Sequence, residues 1–183
     1  MTMSDKSPLW KPSKQRIAAA NLTAFMRSAP RRWNAEFADF EALHRWSVTQ
    51  PEQFWTTLWD VAGVVGHRGE RVLVDANKMP GARWFPDARL NFAENLLRGY
   101  ATEHDTADAL VFWGEDKVKG RASHAELYQA VAQTAWALRD MGVAKGDRVA
   151  AYLPNVPAAV VAMLATASIG AIFSSASPDF GVQ

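Results

Sequence analysis

RVAAYLPNVPAAVVAMLATASIGAIFSSASPD, residues 148–179, is the stretch whose reading decides the fold. Arg148 to Leu153 is a short apolar strand candidate, bounded in front by the turn pair Gly146-Asp147. Pro154-Asn155-Val156-Pro157 breaks it and places a proline where a helix can begin. The helix reading runs from Pro157 to about Ile169, and Gly170 stops it. Ala171 to Ser174 is then a second strand, followed by a small-residue loop with Ser175, Ser177, Pro178 and Asp179. Strand, helix and strand joined by short links form a βαβ unit, which requires parallel strands and a right-handed crossover. No charge lies between Arg148 and Asp179, a run of thirty residues. A membrane-spanning helix needs about 20 continuous apolar residues. Pro154, Asn155 and Pro157 interrupt the front of the run, and Gly170, Ser174, Ser175 and Ser177 interrupt the back. Two short buried elements account for it better than a span.

Upstream, Ala109-Leu110-Val111-Phe112-Trp113 reads as a strand. Gly114-Glu115-Asp116 turns it, and Lys117 to Ala122 returns as the partner of a hairpin. Ser123-His124-Ala125-Glu126 has the capping-box pattern. Behind it Leu127, Val131, Thr134, Leu138 and Met141 recur at helical spacing, and Gly142 sits where a C-terminal glycine stop belongs. This helix is expected to pack on the same sheet as the two parallel strands.

Three regions follow along the chain: residues 1–33, a basic arm; 34–100, helical and aromatic-rich; 106–183, with the α/β rhythm. In the middle region Phe37, Phe40, Leu43 and Trp46 form a stripe at spacing three. Pro51 restarts the chain, and Trp55, Leu58, Trp59 and Ala62 follow i, i+3, i+4, i+7 spacing. Gly66 and Gly69 are read as the end of that helix. Arg71 to Val74 is a short extended run, Pro80-Gly81 a turn, and Trp84-Phe85-Pro86 a loop. Asn91 to Arg98 is a helix capped by Asn91, with Glu94 three residues on. The eight tryptophans are too many to leave in solvent, and core packing is their expected use. The arm, residues 1–32, holds seven Lys or Arg against one Asp. Such an acid-poor start fits an organelle transit peptide. Trp10, Ile17, Leu22, Phe25 and Met26 within it suit docking on a protein body instead.

Composition narrows the chemistry. There is no cysteine, which removes disulfides, thiolate metal sites and a cysteine nucleophile. A net charge of +1 over 183 residues makes no overall case for nucleic acid. Neither G-x-G-x-x-G nor the P-loop pattern occurs. The turn Pro154-Asn155-Val156-Pro157 offers few backbone N–H groups and is a poor anion nest. His44, His67, His104 and His124 show no metal spacing. No nucleophile elbow exists, and the Ser174-Ser175-Ala176-Ser177 run has no base near it in sequence. From the residues alone the chain is an α/β protein with an aromatic helical extension.

Two blocks carry a resemblance that goes further. Phe54-Trp55, with Trp84-Phe85-Pro86-Asp87-Ala88-Arg89-Leu90-Asn91-Phe92-Ala93-Glu94-Asn95-Leu96-Leu97, resembles the N-terminal region of short-chain acyl-CoA synthetases. Ser123 to Leu127, Gly142 to Ala150 and Gly170 to Gly181 resemble the first segments of the adenylation domain in that superfamily of adenylate-forming enzymes. The opening Leu9-Trp10-Lys11-Pro12-Ser13, with Asn21-Leu22 and Phe25, is similar to the start of the acetoacetate-activating members, which assigns the basic arm to the enzyme. The resemblance implies an α/β fold: a helical extension followed by the first βαβ part of an incomplete AMP-binding domain. It also implies ATP, Mg2+ and CoA as substrates or cofactors of a parent ligase, with acetoacetate as the acid. Catalytic and metal residues are expected in none of these 183 positions. The family's Ser/Thr/Gly-rich phosphate loop is missing, since the chain has no Thr-Gly pair. So are the downstream nucleotide motifs and the lysine near the C-terminus. The chain therefore reads as the N-terminal segment of a longer cytoplasmic enzyme. Its partners would be small molecules and the rest of the parent polypeptide, with no nucleic acid and no membrane. Ser177, Pro178 and Asp179 fall where related synthetases bring backbone against the CoA arm, although the more usual Phe-Gly-Gly is absent here.

Two other readings stand beside this one. A ligase of the same branch could act on acetate or propionate. A non-catalytic interaction module, or an inert truncation product, would use the basic arm as its contact surface.

Overall fold

A computed structural model describes residues 9–99, 106–115 and 117–181. His104, Asp116 and the first eight residues of the basic arm lie outside the described residues. The chain divides into two compact units. One comprises residues up to Val64 together with Gly69–Ala88; the other comprises Val65–Arg68 and the chain from Arg89 onward.

The first unit is helical. Its elements are α1 (Lys14–Ala18), α2 (Asn21–Ser28), α3 (Pro30–Trp33), α4 (Phe40–Thr49) and α5 (Pro51–Val61), then a hairpin of β1 (Leu73–Val74) and β2 (Arg83–Trp84). Asp39 caps α4, accepting from the Ala42 N–H at 2.8 Å. The expected stripe is thus shortened: Phe37 precedes the helix, Phe40 is exposed and Leu43 is buried. The aromatics interlock around Phe54, whose ring lies 5.6 Å from Phe25, 6.0 Å from Trp46 and 5.3 Å from Trp55, all edge to face. Such pairs add roughly 0.5–1.5 kcal/mol each beyond area burial. Of the arm residues expected to dock, Phe25 is buried, while Trp10, Ile17 and Leu22 stay largely exposed. Helix α5 stops earlier than expected, with Gly63 in the left-handed region at φ 58°.

Gly69 serves close packing rather than termination. A Cβ there would meet the Asp87 Cβ at 2.4 Å. Beside it the Arg71 guanidinium grips both carboxylate oxygens of Asp87, and this ion pair raises the Arg71 pKa above its ordinary value. In the second unit, Gly66 performs the same service, where a Cβ would meet Arg89 O and Leu90 Cβ at 2.7 Å.

The second unit contains α6 (Phe92–Leu97), an antiparallel hairpin of β3 (Asp108–Gly114) and β4 (Val118–Ser123), then α7 (His124–Asp140), β5 (Arg148–Tyr152), α8 (Pro157–Ser168) and β6 (Ile172–Ala176). β5 and β6 are parallel, with Arg148 opposite Ile172 and Tyr152 opposite Ala176, so the βαβ reading holds. Ser174 and Ser175, read from sequence as the end of the strand and the start of a loop, lie inside β6, because the ladder with β5 continues through them. The Ser123–Glu126 capping box is complete. The Ser123 N–H donating to Glu126 Oε2 at 2.7 Å, helped by the Ser123 side chain, holds that carboxyl below its ordinary range. Gly142 and Gly170 both end helices: the next N–H in each case reaches back five residues, from Val143 to Leu138 O and from Ala171 to Thr166 O.

The core lies between helices α6, α7 and α8 and holds Ala93, Leu97, Leu127, Val131, Ala135, Leu164 and Ala165. One expectation fails here. Helix α7 packs chiefly on α8 and on the β3–β4 hairpin, not on the parallel pair. Its buried residues Leu127, Val131 and Ala135 meet the Ala-rich flank of α8, which lets the two helices lie close.

Candidate functional site

In parallel α/β sheets ligands bind outside the carboxyl ends of the strands. Here that edge is made by two loops, 153–156 after β5 and 177–180 after β6, joined by a hydrogen bond from Leu153 N to Ala176 O at 3.2 Å. The first loop has little to offer an anion. Pro154 and Pro157 lack an N–H, Val156 N donates to Pro154 O, and Ala159 N donates to Val156 O.

The second loop contains the three residues singled out from sequence. Ser177, Pro178, Asp179 and Phe180 form a β-turn closed by Phe180 N donating to Ser177 O at 3.1 Å, with proline in its preferred second place. The Ser177 hydroxyl accepts from Asp179 N at 3.3 Å and donates to Asp179 Oδ2 at 2.9 Å. The Tyr152 hydroxyl donates to Pro178 O at 3.0 Å and ties the turn back to β5. Tyr152 was not singled out from sequence. Twenty-six residues separate the partners, and the parallel register brings them together.

This arrangement limits what the turn can do. The Ser177 hydroxyl and the Asp179 carboxylate are engaged with each other inside the turn. The Asp179 and Phe180 N–H groups are used within the turn. The exposed side of the turn presents carboxylate and carbonyl oxygen at Asp179 and Phe180. Such a surface suits ligand N–H or O–H donors and repels phosphate.

Other candidates disperse. His44 stacks on Phe40 with ring centres 6.3 Å apart, His67 pairs through its backbone with Arg89, and His124 begins α7. Among the described residues no group of three or more His, Asp or Glu converges on a point. Nor is any described helix long and apolar enough to cross a membrane. The two asparagines of the Asn91-Phe92-Ala93-Glu94-Asn95 block turn out to hold the fold. Asn91 Oδ1 accepts from Glu94 N at 3.1 Å, capping α6, while its Nδ2 donates to Ala167 O at 2.8 Å and Ser168 O at 3.3 Å at the end of α8. Asn95 satisfies both the N–H and the C=O of Val65 at 2.8 Å each.

The profile of the AMP-binding enzyme family matches residues 97–183, and that of the acetyl-coenzyme A synthetase N-terminus matches residues 40–96. The matches are adjacent and together take in residues 40–183, so the chain is similar to AMP-binding enzymes in its latter part and to the acetyl-coenzyme A synthetase N-terminus before it. It is similar also to acetoacetyl-CoA synthetases along nearly its whole length. The Rhizobium meliloti (strain 1021) acetoacetyl-coenzyme A synthetase is 47% identical over 181 residues, which is 99% of this chain and 27% of that protein. A malonamoyl-CoA synthetase of Penicillium aethiopicum is 35% identical over 95% of this chain and 24% of its own length. The solved structure of the Streptomyces lividans acetoacetyl-CoA synthetase superposes with a TM-score of 0.80 at 44% identity, over 96% of this chain and 27% of that one. The chain thus spans about a quarter of the length of the relatives it matches, and it aligns with their N-terminal part.

Proposed function

We propose that this chain is the N-terminal segment of an ATP-dependent acetoacetate–CoA ligase, which converts acetoacetate, ATP and CoA to acetoacetyl-CoA, AMP and diphosphate. The observation that carries this is similarity from end to end, 47% identity over 99% of the chain, to a protein named for that product. The reaction has two steps. A carboxylate oxygen of the acid attacks the α-phosphorus of ATP, and diphosphate leaves. The CoA sulfur then attacks the activated carbonyl, AMP leaves, and the thiol proton passes to solvent. The protein's task is to position the reactants and neutralise phosphate charge. Nothing in residues 1–183 is assigned to ATP or Mg2+. On this reading residues 1–33 are the enzyme's basic arm, 34–100 its helical N-terminal region and 106–183 the start of its AMP-binding domain. The enzyme works in the cytoplasm on small molecules; nucleic acid and membrane take no part, and the rest of the polypeptide is the segment's partner.

The turn Ser177-Pro178-Asp179 is assigned to the CoA side. Its open oxygens match the amide N–H groups of the pantetheine arm and disfavour the phosphates. A ligase for another short acid is the second reading, supported by the similarity to a malonamoyl-CoA synthetase over the same residues. The test joins this chain to the remaining three quarters of the Rhizobium meliloti relative and measures diphosphate release with a panel of acids. Acetoacetate is expected to be turned over fastest, and the 183-residue chain alone is expected to release no diphosphate. Faster turnover of acetate or propionate, or acid-dependent release by the short chain, would overturn the assignment.

A further inference from the structure

We infer that Tyr152 is a positioning residue for CoA: its hydroxyl sets which way the Pro178–Asp179 peptide faces in the turn after β6. The inference rests on the assignment of that turn to the CoA side. Tyr152 is the last residue of β5 and lies opposite Ala176, the last residue of β6. Its hydroxyl reaches two residues past that partner and donates to Pro178 O at 3.0 Å. Phenylalanine has no donor to offer there, and the hydroxyl of a serine or threonine at this place is too near the strand to reach.

The bond matters because of where it falls in the turn. Ser177 to Phe180 are the four residues of the β-turn, so the peptide joining Pro178 to Asp179 is its central unit. That unit faces opposite ways in type I and type II turns, through rotation about ψ of the second residue and φ of the third. Proline at the second place suits both types. Aspartate at the third tolerates the left-handed backbone that type II requires better than most residues do. Local chemistry therefore leaves both orientations open. Asp179 does not adopt a positive φ here, so the turn is type I. Both ends of its central peptide are held: the carbonyl by Tyr152, and the N–H by the Ser177 hydroxyl at 3.3 Å. Only the Tyr152 bond ties the peptide to the sheet.

A flip of this peptide exchanges its donor and its acceptor and breaks both bonds. The pattern of N–H and C=O groups that the turn offers a ligand changes with it. A flexible arm bearing amide groups is bound well by groups already in place, and a turn that must be ordered at the moment of binding costs affinity. The Tyr152 bond lies between exposed groups and contributes little net stability. Its effect is on orientation, which separates it from the buried bonds that hold the fold.

The test places Tyr152→Phe in the fusion of this chain with the remaining three quarters of the Rhizobium meliloti relative. Two ligands are titrated by calorimetry: CoA, and adenosine 3′,5′-bisphosphate, which lacks the pantetheine arm. The variant is expected to bind CoA about three- to tenfold more weakly, and its KM for CoA to rise by the same factor relative to its KM for ATP. Its affinity for the bisphosphate should match the parent's, and its melting temperature should shift by under about 2 °C. Unchanged CoA affinity, an equal loss for both ligands, or a fusion that binds no CoA would overturn the inference. Asp179→Ala separates this role from the assignment on which it rests. If Asp179→Ala weakens CoA binding and Tyr152→Phe does not, the positioning role alone falls; if neither does, the turn has no part in CoA binding and both fall. A fusion that loses CoA affinity as expected on Tyr152→Phe, yet activates acetate or propionate faster than acetoacetate, would sink the proposed reaction and leave the role of Tyr152 standing.

Discussion

Replacing Asn91 tests how much of the second unit hangs on one side chain. Asn91 is half-buried and serves two helices at once. Its oxygen caps α6 through Glu94 N, and its amide nitrogen reaches two carbonyls at the end of α8, across 76 and 77 residues of sequence. Losing an Asn cap to alanine costs about 1 kcal/mol. Each net hydrogen bond to a carbonyl contributes about 1 kcal/mol, and the longer of the two less. Asn91→Ala is therefore expected to cost about 2–3 kcal/mol. Asn91→Asp separates the two roles. Aspartate caps a helix as well as asparagine does, but it cannot donate and sets a carboxylate against two carbonyl oxygens. It should still lose about 1–2 kcal/mol at neutral pH. The assay is urea unfolding followed by circular dichroism. With a slope of about 2 kcal/mol per molar, the alanine variant's midpoint falls by about 1 M or more. An aspartate variant as stable as the parent would show that the bonds to α8 contribute nothing. The block would then be a helix cap and no more.

Gly69→Ala should destabilise the first unit by about 2 kcal/mol or more, because the left-handed backbone at φ 79° costs a side chain roughly 1–2 kcal/mol. A Cβ there would also press on Asp87, and thermal melts read the loss. Glu126 is held below its ordinary pKa by its bonds to Ser123, so the stability it contributes is complete above the ordinary glutamate range and is lost as pH falls through the lowered value. The melting advantage of the parent over Glu126→Gln should therefore be present near neutral pH and be lost as the pH falls below the ordinary glutamate range. In the fused ligase, Asp179→Ala should raise the KM for CoA while leaving acetoacetate-dependent adenylation unchanged. An unaltered KM would remove the turn from the CoA side.

Local chemistry was readable from the sequence by itself. The Ser123–Glu126 capping box, the Asn91 cap, the glycine stops at Gly142 and Gly170 and the strand–helix–strand order all depend on residues within about five positions of each other. Their stereochemistry is therefore already decided before the chain folds. The family resemblance was readable for the same reason, since it resides in contiguous blocks. Tertiary structure alone decided what those blocks touch. Gly66 and Gly69 looked like helix stops, yet they make room for Arg89, Leu90 and Asp87, partners some twenty residues away. Helix α7 chose α8 and the hairpin over the parallel strands, because the Ala-rich flank of α8 admits a closer approach. The amide of Asn91 found the end of α8, and the hydroxyl of Tyr152 found Pro178, through packing and strand register that no periodicity encodes. A residue's type and spacing restrict its own backbone and nearest turn; which distant group satisfies its hydrogen bonds is settled only when burial brings the elements together and leaves each polar group to find a partner.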